Sequence, residues 1–147
     1  MVDRTPRAPA VSRRGRSERR SAVPPALRWL PAVVWAGVIF GLSSMSQPPE
    51  PGPVADLPGW TSMAHFAEYF ILGALLFLAC GTFRGRRPSN IYLFAVIMGI
   101  LYGMTDELHQ SFVPGRQMDA LDWLVDCLGA STGALIPLMM RPGRNKI

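Results

Sequence analysis

Three short stretches of this 147-residue chain carry nearly all of its acid–base chemistry, and each is spaced for one face of a helix. His65, Glu68 and Tyr69 fall at i, i+3 and i+4, positions that are neighbours on a helix surface. Tyr102, Asp106, His109 and Gln110 follow the same rule, with Glu107 offset from their stripe. Asp119, Asp122, Asp126, Gly129 and Gly133 descend a third helix in steps of three and four, a seam polar at one end and small at the other. The three faces can converge on one pocket. A histidine–carboxylate pair there has the groups for general acid–base hydrolysis or transfer. His65, Asp106, Glu107 and His109 are also types that ligate divalent metals. A hydrogen-bonded salt-bridge network that locks the helices accounts for them at least as well, so a divalent ion is open to these residues but not favoured. Asp106, Glu107, Asp119, Asp122 and Asp126 repel one another at close range. Such groups are expected to be paired with Arg116 or a histidine, protonated, or bound to a cation. Arg116 could clamp a phosphate or carboxylate with two hydrogen bonds, or simply pair with Asp119 or Glu107.

The elements that must position these residues are membrane-length. Apolar residues are 49% of the chain, an ordinary share, but they collect in four blocks, roughly Leu27–Met45, Met63–Phe83, Ile91–Leu108 and Ala120–Met140. About 20 apolar residues at 1.5 Å each cross a hydrocarbon core about 30 Å thick. The fold class expected is therefore all-α, a polytopic membrane protein of four transmembrane helices. Asp126 lies about 10 Å deeper along its helix than Asp119, and a carboxylate at that depth should face the bundle interior or water, not lipid. Glycine pairs four apart, Gly37/Gly41, Gly99/Gly103 and Gly129/Gly133, are expected to mark close packing faces. The cysteines, Cys80 near the inner end of its span and Cys127 in the outer half of another, are expected too far apart for a disulfide.

The net charge of +5 resolves by position. Of 15 basic residues, Arg116 alone falls in a segment between spans one and two or three and four. The rest precede span one or, as Arg28, stand at its start, follow span four, or occupy the short loop with Arg84, Arg86 and Arg87. Loops rich in arginine stay in the cytoplasm, so both termini should be cytoplasmic and the polar end outward. Trp29, Phe83 and Tyr92 at inner boundaries, and Trp60 and Trp123 at outer ones, fit an interfacial belt. Three segments follow: a disordered basic tail over 1–26, a four-helix domain over 27–141 and a short basic tail over 142–147. The first tail holds no aromatic residue to stack on bases, so its expected partner is anionic lipid and not nucleic acid. A cleaved signal peptide is not expected, because the apolar run exceeds the usual h-region. The loop Ser46–Ser62, with five prolines, should be extended, and Pro114–Gly115 should turn the second outer loop.

The run YGMTDELHQSFVPGRQMDALDWLVDCLGASTG, with HFAEYFILG and FGLSS, closely resembles the VanZ-like family over about Leu27–Leu138. The matching positions are His65, Tyr69, Asp106, Glu107, His109, Gln110, Phe112, Pro114, Gly115, Arg116, Asp122, Gly129 and Gly133. The chain departs from the family pattern at Thr61–Ser62, commonly Asp-Lys, and at Asp126, often Asn. The resemblance implies a bacterial plasma-membrane protein of the cell envelope, connected with resistance to the glycopeptide teicoplanin.

Two functions follow as expectations. The first is an envelope protein that modulates glycopeptide susceptibility through an outward-facing polar site, its partners being the bilayer and an envelope lipid or glycopeptide-related ligand. The alternative is a membrane hydrolase or transferase acting on a lipid-linked or phosphorylated envelope substrate. In either case His65, Asp106, Glu107, His109, Arg116 and Asp122 would do the chemistry, and Tyr69, Gln110 and Arg116 would hold the substrate. Transport ranks last, because the inner halves of the spans are too apolar for a polar route across the bilayer.

Overall fold

A computed structural model describes residues 24–47, 52, 59–82 and 85–140. The expected basic tails fall outside these residues, apart from 24–26, as do residues 48–51 and 53–58 of the proline-rich loop. Four helices account for most of the described chain: α1 (Pro25–Ser43), α2 (Trp60–Cys80), α3 (Pro88–Gln110) and α4 (Ala120–Met139). With 19 to 23 residues they are about 28–35 Å long, long and apolar enough to cross a membrane. Proline opens α1 and α3, where its missing N–H is an orphan in any case. Glycine in the left-handed conformation precedes α2, and the Asp119 carboxylate caps α4 by accepting from Leu121 N (2.7 Å). The first span starts and stops two residues earlier than expected. The second starts at Trp60, which places Thr61 and Ser62 on the helix, and the third runs on to take in His109 and Gln110.

Burial is inverted relative to a water-soluble bundle. Leu101, Leu128 and Val33 are 57–62% exposed, whereas Glu107 is 1% and Asp126 0% exposed. An apolar exterior around a polar interior is what lipid demands, since hydrocarbon offers charged groups no hydrogen bonds. The core runs along the axis through Tyr69, Leu72, Phe77, Ala95, Ala130 and Ala134, with Ala32 and Ile39 of α1 against it.

Helices α2 and α4 make the closest contact. A Cβ at Gly133 would overlap the Phe70 carbonyl oxygen, one at Gly73 the Ala130 carbonyl, and one at Gly129 would lie 2.6 Å from Phe66 O. The expected close packing at Gly99, Gly103, Gly129 and Gly133 is present, and Gly73 belongs with it. Gly37 and Gly41 correct the expectation for span one, because nothing lies within 4 Å of a Cβ at either position. The inward face of α1 is instead Ala32, Trp35, Ala36, Ile39 and Ser43. Its attachment uses side-chain hydrogen bonds: Trp35 Nε1 donates to Glu68 O (2.9 Å) and Tyr102 Oη to Ala36 O (2.6 Å). Trp123 Nε1 similarly ties α4 to Ile100 O of α3 (3.3 Å). Cys80 and Cys127 are both free thiols.

Candidate functional site

The C-terminal ends of α1 and α3 and the N-terminal ends of α2 and α4 meet at one end of the bundle, and the acid–base residues gather there. The stripe Tyr102–Asp106–His109–Gln110 turns toward α1. Ser43 Oγ donates to Asp106 Oδ2 (2.8 Å), and Gln110 Nε2 donates to the same oxygen (3.2 Å). Ser44 Oγ and His109 Nε2 are 3.0 Å apart, and the His109 ring stacks on Phe40 with centroids 4.5 Å apart. His109 of α3 is therefore a half-buried rim residue resting against α1, while Asp106 and Gln110 are buried. Arg116 donates through an Nη to Gln110 Oε1 (2.6 Å) and so reaches Asp106 by way of the amide. Asp119, offered as an alternative partner for Arg116, caps its own helix instead.

Glu107, offset from that stripe in sequence, is the residue of α3 that turns the other way. Its Oε2 accepts from the backbone N of Asp119 (2.9 Å). Across from it, His65 Nδ1 donates to Asp126 Oδ1 (3.1 Å), joining α2 to α4. One ligating atom each from His65, Glu107 and Asp126 lies within 4.8 Å of the others. Asp122, one turn above Asp126, accepts from Ser62 Oγ of α2 (3.3 Å). The absent side chain at Gly103 leaves room for the whole arrangement: a Cβ there would sit 3.3 Å from both Asp126 Cβ and Tyr69 Cε1.

The polar end thus has two linked parts. One is a hydrogen-bonded row facing α1, made by Ser43, Asp106, Gln110 and Arg116. The other is a buried knot of His65, Glu107 and Asp126, with Tyr69 between the two. Of the residues expected to act, His65, Asp106, Glu107, Tyr69 and Gln110 are buried together; Arg116 and Asp122 border them, and His109 is on the rim. Ser43 and Asp126 join the site without having been among those candidates. The 3–4 seam through Asp119, Asp122 and Asp126 contained the signal for Asp126; for Ser43 the signals were the polar end of an otherwise apolar span and its place in FGLSS.

Among the described residues, four buried side-chain atoms of this region find no hydrogen-bond partner: Tyr69 Oη, Asp106 Oδ1, Glu107 Oε1 and Asp126 Oδ2. A buried polar atom without a partner costs about 1–3 kcal/mol, and more for a charged group. Tyr69 and Asp106 lie against each other, and the open Glu107 and Asp126 oxygens make this end of the bundle a polar site. Donors and acceptors here could bind a hydroxylated or phosphorylated headgroup, relay a proton between histidine and carboxylate, or coordinate a cation.

No curated protein and no solved structure matches the chain. A family model does, VanZ/LLP1, over residues 10–141. That range takes in all four helices and both parts of the polar end. On this match and its four membrane-length apolar helices, the chain is a multi-pass membrane protein belonging to the VanZ/LLP1 family.

Proposed function

We propose that this is a bacterial plasma-membrane protein, both termini cytoplasmic, whose outward-facing polar end binds the headgroup of an envelope lipid and thereby alters susceptibility to teicoplanin-type glycopeptides. The observation that carries the reading is the polar end itself: three carboxylates, none more than 3% exposed, converge with His65 and Tyr69 inside a bundle that is otherwise apolar. Ionisable groups at membrane depth are costly to keep, and they mark functional sites by default. The distribution of arginines supports the outward orientation. An apolar groove of about 410 Å³ supports a lipid ligand; Trp29, Ala32, Leu72, Leu76, Tyr102 and Thr105 are among its walls. It runs along α1 and α3 to Thr105, next in sequence to Asp106, so an acyl chain lying in it would bring its headgroup to the polar end. Tyr69, Gln110 and Arg116 would hold that headgroup, and His65, Asp106, Glu107, His109 and Asp122 would face its polar atoms. The test is teicoplanin susceptibility in cells expressing wild type or Glu107→Gln at matched membrane levels. Wild type should shift the inhibitory concentration and the variant should return it to the empty-vector level; equal protection by both contradicts the reading.

The His65–Asp126 hydrogen bond favours a second reading, a hydrolase or transferase on a lipid-linked or phosphorylated substrate. A carboxylate fixing one ring nitrogen leaves the imidazole set to move a proton at the other. Here His65 would be the general base or acid and Arg116 would offset substrate charge. Purified protein should then release labelled phosphate or headgroup from lipid-linked substrates, and His65→Gln should not. Wild-type protein that leaves such substrates intact counts against catalysis.

A further inference from the structure

We propose that His65, Glu107 and Asp126 form a binding site for one divalent first-row ion of the zinc or manganese kind. The three residues come from three helices, α2, α3 and α4, and their ligating atoms lie within 4.8 Å of one another. All three are at least nine-tenths buried, at 8%, 1% and 0% exposure. Two keep an unused oxygen: Glu107 Oε1 and Asp126 Oδ2 have no partner among the described residues. Those free oxygens, and not the mere presence of acids, set these three residues apart as a ligand set.

One of the three pairs is already at coordination spacing, and Glu107, within 4.8 Å of both, would move in to complete the shell. Ligands at 2.0–2.1 Å from a tetrahedral ion are about 3.3 Å apart, and His65 Nδ1 and Asp126 Oδ1 are separated by 3.1 Å. The same gap can hold a shared proton or, once the proton leaves, a cation. The outer support of a metal site is also present, for Asp119 N holds Glu107 Oε2 and leaves Oε1 free to turn inward. Charge gives the valence. Asp106 is engaged by Ser43 and Gln110, the latter bonded to Arg116. Of the bases among the described residues, only His65 pairs with Glu107 or Asp126. With a neutral imidazole the triad carries two negative charges, which one divalent ion balances. One nitrogen and two oxygens select zinc, manganese or iron(II) over calcium, which takes all-oxygen shells. Three protein ligands leave a coordination position for water or for an oxygen of a bound headgroup.

From the functional reading this takes only that the polar end is the working end; ion binding is measured without reference to any substrate. Full-length protein in detergent micelles would be stripped with a chelator, dialysed against zinc or manganese, and assayed for bound ion and for unfolding temperature. The expected result is about one ion per chain, with unfolding raised by the ion, and binding at least about tenfold weaker in Glu107→Gln and in Asp126→Asn. His109→Ala, which removes the other histidine, should keep the ion. Folded, monodisperse wild type that binds no more ion than Asp126→Asn overturns the site, and so does equal loss in His109→Ala. Ion lost in Glu107→Gln with teicoplanin susceptibility unchanged keeps the site and removes the functional reading. Susceptibility changed by Glu107→Gln in a protein that binds no ion does the reverse.

Discussion

A carboxylate in the position of Asp126, with no exposed surface and helices on every side, persists only where something answers its charge. His65 answers one oxygen at 3.1 Å and leaves the other open. Removing one member of a buried ion pair is costlier than removing both, because the survivor stays buried and uncompensated. His65→Leu should therefore destabilise the bundle by about 3–5 kcal/mol, and His65→Leu/Asp126→Leu by clearly less. Unfolding of His65→Leu, Asp126→Leu and the double variant in the same detergent checks this; a double variant weaker by the sum of the single losses would show that the pair does not interact. Helical spacing made the depth of Asp126 readable in advance. It could not show which residue Asp126 meets, because spacing fixes a face on one helix and not its rotation against another. Glu107 makes the same point: the offset that set it apart from its stripe is what aims it at α2 and α4, while the regular stripe, His109 included, packs toward α1.

At the scale of elements, glycines four apart mean different things in different helices. Gly129 and Gly133 let α4 lie against the α2 backbone at Phe66 and Phe70, and this contact sets His65 opposite Asp126 one to two turns further along. Gly37 and Gly41 look alike in sequence but face open space. Gly133→Ala should cost about 1–3 kcal/mol by overpacking, and Gly37→Ala should fall within about 0.5 kcal/mol of wild type. Thermal unfolding of both in one detergent separates them, and equal losses would contradict the packing described. The four spans were legible from their length and hydropathy to within three residues at every boundary, since few other solutions satisfy a bilayer. Which face of α1 packs was not, because α1 is held by Trp35, Tyr102 and Ser43 hydrogen bonds that leave no periodic mark.

Over the whole molecule the chain divides into an apolar length and a polar end, and orientation decides which compartment that end meets. Reporter fusions after Arg87 and Met140 should read cytoplasmic, and fusions near Pro51 and Pro114 external; a cytoplasmic reading at either outer loop would turn the site inward. The account's central claim is that the row facing α1 and the knot between α2, α3 and α4 work as one unit. Tyr69 lies between them, and Asp106 and Glu107 are adjacent on α3, so a change in one part is felt in the other. The most direct test is a double-substitution cycle across the two parts, Asp106→Asn with Asp126→Asn, read as teicoplanin susceptibility at matched membrane levels. Either single substitution should abolish the effect and the double should be no worse, the non-additivity expected of coupled groups. Partial losses that simply add, or a single variant that keeps full effect, would contradict a shared site.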